Sequence, residues 1–237
     1  MSELEGKVVL VTGAAGNLGT AVAEAFGTRG ARLALLDRSP ERLDAVARSL
    51  ALPPSTMLLP TDLTERRSVD AAVAAVVEQF GVLDVVANIA GGFTMGPPLH
   101  ETPDEDLDFM LDLNVRSLFN VCRAAVPAML KGGGGRIVNV SARAAREGKA
   151  RMGPYCASKA AVITLTETLA AEHRLDGINV NCILPGTIDT PQNRASMPDA
   201  DHSRWVAPGA LADVVVFLAS HAARAISGAA IPVYGQS

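Results

Sequence analysis

Short β-branched and leucine-rich runs alternate along the chain with longer, alanine-rich amphipathic stretches, and the rhythm holds into the C-terminal region. The runs Lys7–Thr12, Arg32–Asp37, Met57–Pro60, Asp84–Ile89, Arg136–Ser141, Ile178–Leu184 and Ala230–Tyr234 predict strands. They are mostly apolar at successive positions, as in strands covered on both faces of a parallel sheet. Between them, Asn17–Thr28, Pro40–Leu50, Ser68–Phe80, Asp104–Leu130, Pro154–Leu175 and Pro208–Ser220 predict helices. The alternation implies an α/β fold, a Rossmann-like doubly wound parallel sheet of about seven strands with helices on both faces and right-handed crossovers. No Pro/Ser-rich linker divides the chain, so 1–237 reads as a single domain. The glycine run Gly132–Gly135 reads as a flexible turn from helix to strand.

Composition narrows the class. A hydrophobic share of 49% builds a core and excludes general disorder. The net charge of −4 makes a nucleic-acid partner a poor fit. No apolar run reaches the roughly 18 residues that cross a bilayer, so no membrane partner is expected. The opening residues show no charged-then-apolar leader, and a cytoplasmic protein is the expectation. Cys122, Cys156 and Cys182 are widely spaced and form no Cys-x-x-Cys pair, which favours small buried residues over a disulfide framework. His100, His173, His202 and His221 lack metal-ligand spacing, so no metal is expected.

The first predicted strand runs into Thr12-Gly13-Ala14-Ala15-Gly16-Asn17-Leu18-Gly19, and a helix follows. Glycines there permit a tight turn and let backbone N–H groups approach a pyrophosphate at the helix N-terminus. Asp37 closes the second strand, where a carboxylate accepts hydrogen bonds from ribose hydroxyls and repels a 2′-phosphate. NAD(H) is therefore favoured. Arg38 beside it leaves NADP(H) open, since a guanidinium pairs with such a phosphate.

Thr12–Gly19, Asp37, Asp62, Asn88-Ile89-Ala90-Gly91, Asn114, Tyr155-x-x-x-Lys159 and Pro185-Gly186 together resemble the short-chain dehydrogenase/reductase family in order and spacing, across essentially the whole chain. The resemblance implies that Gly13, Gly16, Asn17, Leu18 and Gly19 cradle the dinucleotide, with Asp37 and Arg38 at the adenosine ribose. It places Asp62 and Leu63 at the adenine, and Asn88, Ala90 and Gly91 along the cofactor from the fourth strand. Pro185, Gly186, Ile188 and Thr190 would cover the nicotinamide end. One departure is Asn17, where the single-domain branch usually carries Gly; Asn tolerates the left-handed backbone that a glycine would adopt. Gly16 also fits the spacing of the longer, sugar-nucleotide-modifying branch, whose extra C-terminal region this chain is too short to hold.

Tyr155 and Lys159 stand four apart near the start of a helix, so both point from one face. A nearby ammonium is expected to lower the phenol's ordinary pKa of about 10, letting Tyr155 exchange a proton at neutral pH. By resemblance, Lys159 also binds the nicotinamide ribose and Asn114 holds a water in a proton relay. The family's catalytic serine is missing from its usual place, which Ala142 occupies. Either the serine is absent, or neighbouring Ser141 serves in its stead, which requires a bulge because adjacent strand residues face opposite sides. Dihydropteridine reductase, a family member with Ala at that position, is similar locally around Ser141–Ala145 and Arg151–Gly153.

Substrate hints are sparse. Phe93–Leu99 and Pro191–Val206 are expected to rim the pocket, with Met197 and Trp205 either packing on a flat substrate or sealing the lid. Arg143, Arg146, Lys149 and Arg151 against Glu147 form a basic segment, either a solvated loop or a contact for an anionic substrate. The sequence thus points to an oxidoreductase moving hydride between NAD(H) and a carbonyl or alcohol. A quinonoid-pterin reductase and a non-catalytic NAD(H) sensor or scaffold are the alternatives. The resemblance further implies a homo-oligomer, a dimer or tetramer, assembled through Asp104–Leu130 and Pro154–Leu175.

Overall fold

The computed structural model describes residues 3–236. Seven parallel strands lie in the order β3-β2-β1-β4-β5-β6-β7: β1 Val8–Thr12, β2 Arg32–Asp37, β3 Met57–Pro60, β4 Val85–Asn88, β5 Gly135–Val140, β6 Ile178–Pro185 and β7 Ala230–Val233. The order reverses between β1 and β4, which leaves a crevice outside their carboxyl ends. Two cores flank the sheet. Val9 and Val11 of β1 with Leu33 and Leu35 of β2 belong to one, and Val8, Leu10, Ala34 and Leu36 to the other. That division follows the two-residue alternation of strand side chains.

Among the described residues there are eight α-helices: α1 Asn17–Gly27, α2 Pro40–Ser49, α3 Arg66–Phe80, α4 Asp104–Leu111, α5 Ser117–Lys131, α6 Gly153–Glu172, α7 Pro191–Ser196 and α8 Pro208–Ala219. Local chemistry sets several of their starts. Ser39 and Thr190 cap α2 and α7 through their hydroxyls, each followed by a proline pre-set for a first helical turn. Gly133 and Gly134 take φ of 85° and 133°, so the expected glycine turn delivers the chain from α5 to β5.

The main departure from the sequence pattern is Asp104–Leu130. That stretch is two helices, α4 and α5, joined by a π-helical segment at Asp112–Arg116 that contains Asn114. A widened turn of this kind shifts the helix face and is frequent at functional sites. Pro191–Ser196, read as rim loop, is instead helix α7. Asp84 precedes β4 and ties its start to β1, accepting from the Val8 N–H at 2.9 Å and pairing with Lys7 Nζ at 2.8 Å.

Candidate active site

The glycine-rich turn between β1 and α1 is shaped by contacts that exclude side chains. A Cβ on Gly13, whose φ is +62°, would lie 2.8 Å from Ala90 Cα, and one on Gly19 would lie 2.1 Å from the Gly13 carbonyl oxygen. The turn therefore sits against the β4 loop, with α1 close upon it. Gly16 caps α1 without a side-chain hydrogen bond, so the first-turn N–H groups are available to an anion. Asn17 is the first residue of α1 and has no positive φ, so the left-handed tolerance expected of it is not used.

Both backbone polar groups of Ala15 are held from the second βα unit. Its N–H donates to Asp37 Oδ2 at 3.2 Å, and its carbonyl accepts from Arg42 Nη2 at 2.6 Å. Arg38 is exposed. Asp62 accepts from the Thr64 hydroxyl and N–H at 2.7 and 2.9 Å, which hold its carboxyl below the usual range, and the charge of Arg38 acts in the same direction. Leu63, Asn88 and Ala90 meet in a small cleft with Thr12. Ser117, Leu118 and Val121 of α5 complete it, and nothing in the local sequence marked them.

Thr12 fixes the β4 loop, its hydroxyl accepting from the N–H groups of Ile89 and Ala90 at 3.0 and 3.1 Å. Asn88 Nδ2 donates to Asn139 Oδ1 at 2.8 Å, while its own buried Oδ1 has no partner. Beyond β6, Gly186 N–H bonds to Val233 and Ile188 pairs in parallel with Val206. These contacts place Pro185–Thr190 at the same end of the sheet as the glycine-rich turn.

Tyr155 and Lys159 are one turn apart on α6, as their spacing predicted. The Tyr155 ring is half-buried and meets Phe93 edge to face, with centroids 4.9 Å apart and planes at 86°. Phe93 itself is largely exposed, on the expected rim. Lys159 is buried and donates to the Val140 carbonyl at 3.0 Å. A Cβ on Gly91 would lie 2.9 Å from its Nζ.

The titration of the pair runs opposite to the sequence expectation. Burial pushes the Tyr155 phenol up to about 12, with Cys156 acting in the same direction, and pushes Lys159 down to about 8. Desolvation disfavours the charged form of each group. The phenol is therefore protonated at neutral pH.

Asn114 uses its side chain as a brace. Oδ1 accepts from the Gly92 N–H at 3.0 Å, and Nδ2 donates to the Gly92 carbonyl and to Ser158 Oγ, each at 3.1 Å. Ser158 in turn donates to the Tyr155 carbonyl at 2.8 Å. Asn114 and Ser158 thus link the β4 loop to the turn of α6 that carries Tyr155. Sequence reasoning missed Ser158, although its place three residues after Tyr155 puts it on a neighbouring helix face.

Ser141 does not offer the free hydroxyl that a substitute for residue 142 would need. Its Oγ is buried and donates to the Lys159 carbonyl at 2.7 Å. Its N–H bonds to the Ile183 carbonyl at 2.9 Å, so the strand pairing continues past β5 without a bulge to turn the side chain round. The basic segment is likewise committed. Arg143 and Lys149 pair with Glu147, Arg146 donates to Ala230 and Arg151 to Gly96, which favours the loop interpretation over an anion site. Cys122 and Cys182 are buried, with thiols pushed up to about 12 and about 11 by desolvation.

A family model described as short chain dehydrogenase matches residues 7–201. The 2-(R)-hydroxypropyl-CoM dehydrogenase of Xanthobacter autotrophicus is 37% identical over 243 residues, covering 97% of each chain. A short-chain type dehydrogenase/reductase from Mycobacterium ulcerans superposes with a TM-score of 0.94 at 30% identity, covering 100% of this chain and 90% of that one. NAD+-bound xylitol dehydrogenase superposes with a TM-score of 0.90 at 30% identity, covering 98% of this chain and 99% of that one.

Proposed function

Since this chain belongs to the short-chain dehydrogenase family, we propose that it is an oxidoreductase moving a hydride between NAD(H) and a carbonyl or alcohol, with Tyr155 exchanging the proton at the substrate oxygen. The observation that carries the assignment is the mounting of Tyr155. Its hydroxyl-bearing ring stands on α6 beside the exposed Phe93, braced by Ser158 and Asn114 to the β4 loop next to the dinucleotide turn. Bound NAD(H) supplies or accepts the hydride. The fit for it lies in the glycine cradle, whose Gly13 and Gly19 admit no Cβ, and in the uncapped start of α1. The NAD+-bound xylitol dehydrogenase supports the same cofactor.

In the reducing direction, Tyr155 donates its proton to the substrate oxygen as the carbonyl carbon is reduced. Lys159, through whichever N–H groups are not donating to Val140, would hold a ribose hydroxyl of the bound cofactor. Asp37, fixed by the Ala15 N–H, favours NAD(H) over NADP(H), because its carboxylate repels a 2′-phosphate. A methyl group at Ala142 and the engaged hydroxyl of Ser141 support a second reading, an easily reduced quinonoid substrate that needs one proton donor. Oxidation of NADH and NADPH should be followed against ketone, quinone and quinonoid-pterin panels. Turnover is expected with NADH and at least tenfold weaker with NADPH; inactivity towards every panel would favour the sensor or scaffold alternative.

The protein is further inferred to act in the cytoplasm as a dimer or tetramer. Phe109 on α4 and Phe119 on α5 expose apolar rings for such an assembly. Sedimentation at a monomer's mass would contradict it.

A further inference from the structure

The geometry points to a clasp over the dinucleotide groove, formed by Asn17 of the glycine-rich turn and Gln192 of α7, that retards release of the bound dinucleotide. Asn17 Nδ2 donates to Gln192 Oε1 at 2.9 Å, joining residues 175 positions apart. The two come from opposite sides of the groove. Asn17 follows β1 and Gln192 follows β6, while β4 and β5 lie between those strands. Three strand spacings of about 4.8 Å separate β1 from β6, roughly 14 Å in all. The hydrogen bond therefore joins the start of α1 to α7 across the carboxyl-end side of β4 and β5, where the crevice of a doubly wound sheet takes its ligand.

Each half of the clasp stands on a fixed base. Asn17 opens α1 on a turn held by the Ala15 bonds to Asp37 and Arg42. Gln192 belongs to a short helix tied down on several sides. Thr190 Oγ1 accepts from the Asn193 N–H at 3.2 Å, and Asn193 Nδ2 donates to the Ile188 carbonyl at 2.8 Å. Arg194 grips Asp189 through two bonds of 2.5 and 2.8 Å. The joining bond itself is exposed, so water competes for it and it can open. A glycine at position 17, the residue the family resemblance leads one to expect, has no side chain with which to form it.

The role assigned to Asn17 and Gln192 is positional: they hold the roof of the groove closed and take no part in hydride or proton transfer. It rests on the NAD(H) assignment above. Stopped-flow NADH fluorescence tests it on wild type, Asn17→Ala, Gln192→Ala and the double variant. Each single change is expected to raise the NADH dissociation rate roughly three- to tenfold, the range of one modest hydrogen bond. The double variant should release NADH no faster than the faster single one, because both changes remove the same bond. Unchanged dissociation in the single variants, or effects that multiply in the double one, would overturn the clasp while leaving NAD(H) binding in place. Wild-type protein that binds no NADH would instead overturn the cofactor assignment, and the clasp with it.

Discussion

Lys159 shows at the scale of one residue what a buried ammonium costs the fold. Its ammonium is almost wholly buried with a single hydrogen bond to Val140 on view, and burial lowers its pKa from 10.5 to about 8. Between those two values the unfolded chain binds a proton that the folded chain lacks, so stability rises with pH across that window. Below pH 8 both states are charged, and the full cost, at most roughly 3 kcal/mol, is present at neutrality. Lys159→Met should therefore raise the unfolding temperature at pH 7, and its advantage over wild type should shrink as the pH climbs beyond 8. Thermal unfolding of both proteins at several pH values checks this; a Met variant less stable at pH 7 would show that the charge is well solvated. Tyr155 is complementary. With its phenol pushed up to about 12 it is protonated at neutral pH, the form that the proposed reduction requires, and under the same proposal alkaline conditions favour the oxidising direction.

At the scale of elements, Ser141 ties β5 to α6. Ser141→Ala removes the bond to the Lys159 carbonyl and should cost about 1 kcal/mol of stability, read from denaturant midpoints, with kcat/KM within a few-fold of wild type. A hundredfold fall in kcat/KM would restore the catalytic role for that hydroxyl. Much at this scale was legible beforehand: seven strands read as apolar runs, although the edge strands β3 and β7 are only partly buried, and the glycine turn, Asp37 and the Tyr155–Lys159 pair follow the spacing along the chain. The π-helical interruption at Asp112–Arg116 was not. Met110, Leu113, Leu118 and Val121 carry an apolar pattern across it, and one extra residue in a turn leaves that pattern almost unchanged. Helix α7 is too short for periodicity to emerge, although Thr190 and Pro191 carry an N-terminal signal.

At the scale of the whole molecule, the alternation of strands and helices implied the doubly wound sheet, and its order places the candidate site at the reversal between β1 and β4. What could not be read along the chain are the side chains that join distant segments. Asn114 holding Gly92, Arg42 holding Ala15 and Asn17 meeting Gln192 each depend on where the sheet brings their elements. The direction of the Tyr155 and Lys159 shifts belongs to the same category. Sequence spacing gives their shared helix face, but burial, which decides both titrations, comes from the assembled loops and strands.

The most direct measurement is single-turnover hydride transfer from pre-bound NADH, comparing wild type with Tyr155→Phe on whichever substrate the panels identify. The phenylalanine ring keeps the edge contact with Phe93 and loses only the hydroxyl. Transfer should fall at least about a hundredfold, the scale of losing a general acid, while the dissociation constant for NADH stays within twofold. Transfer at the wild-type rate in the variant would contradict Tyr155 as the proton donor.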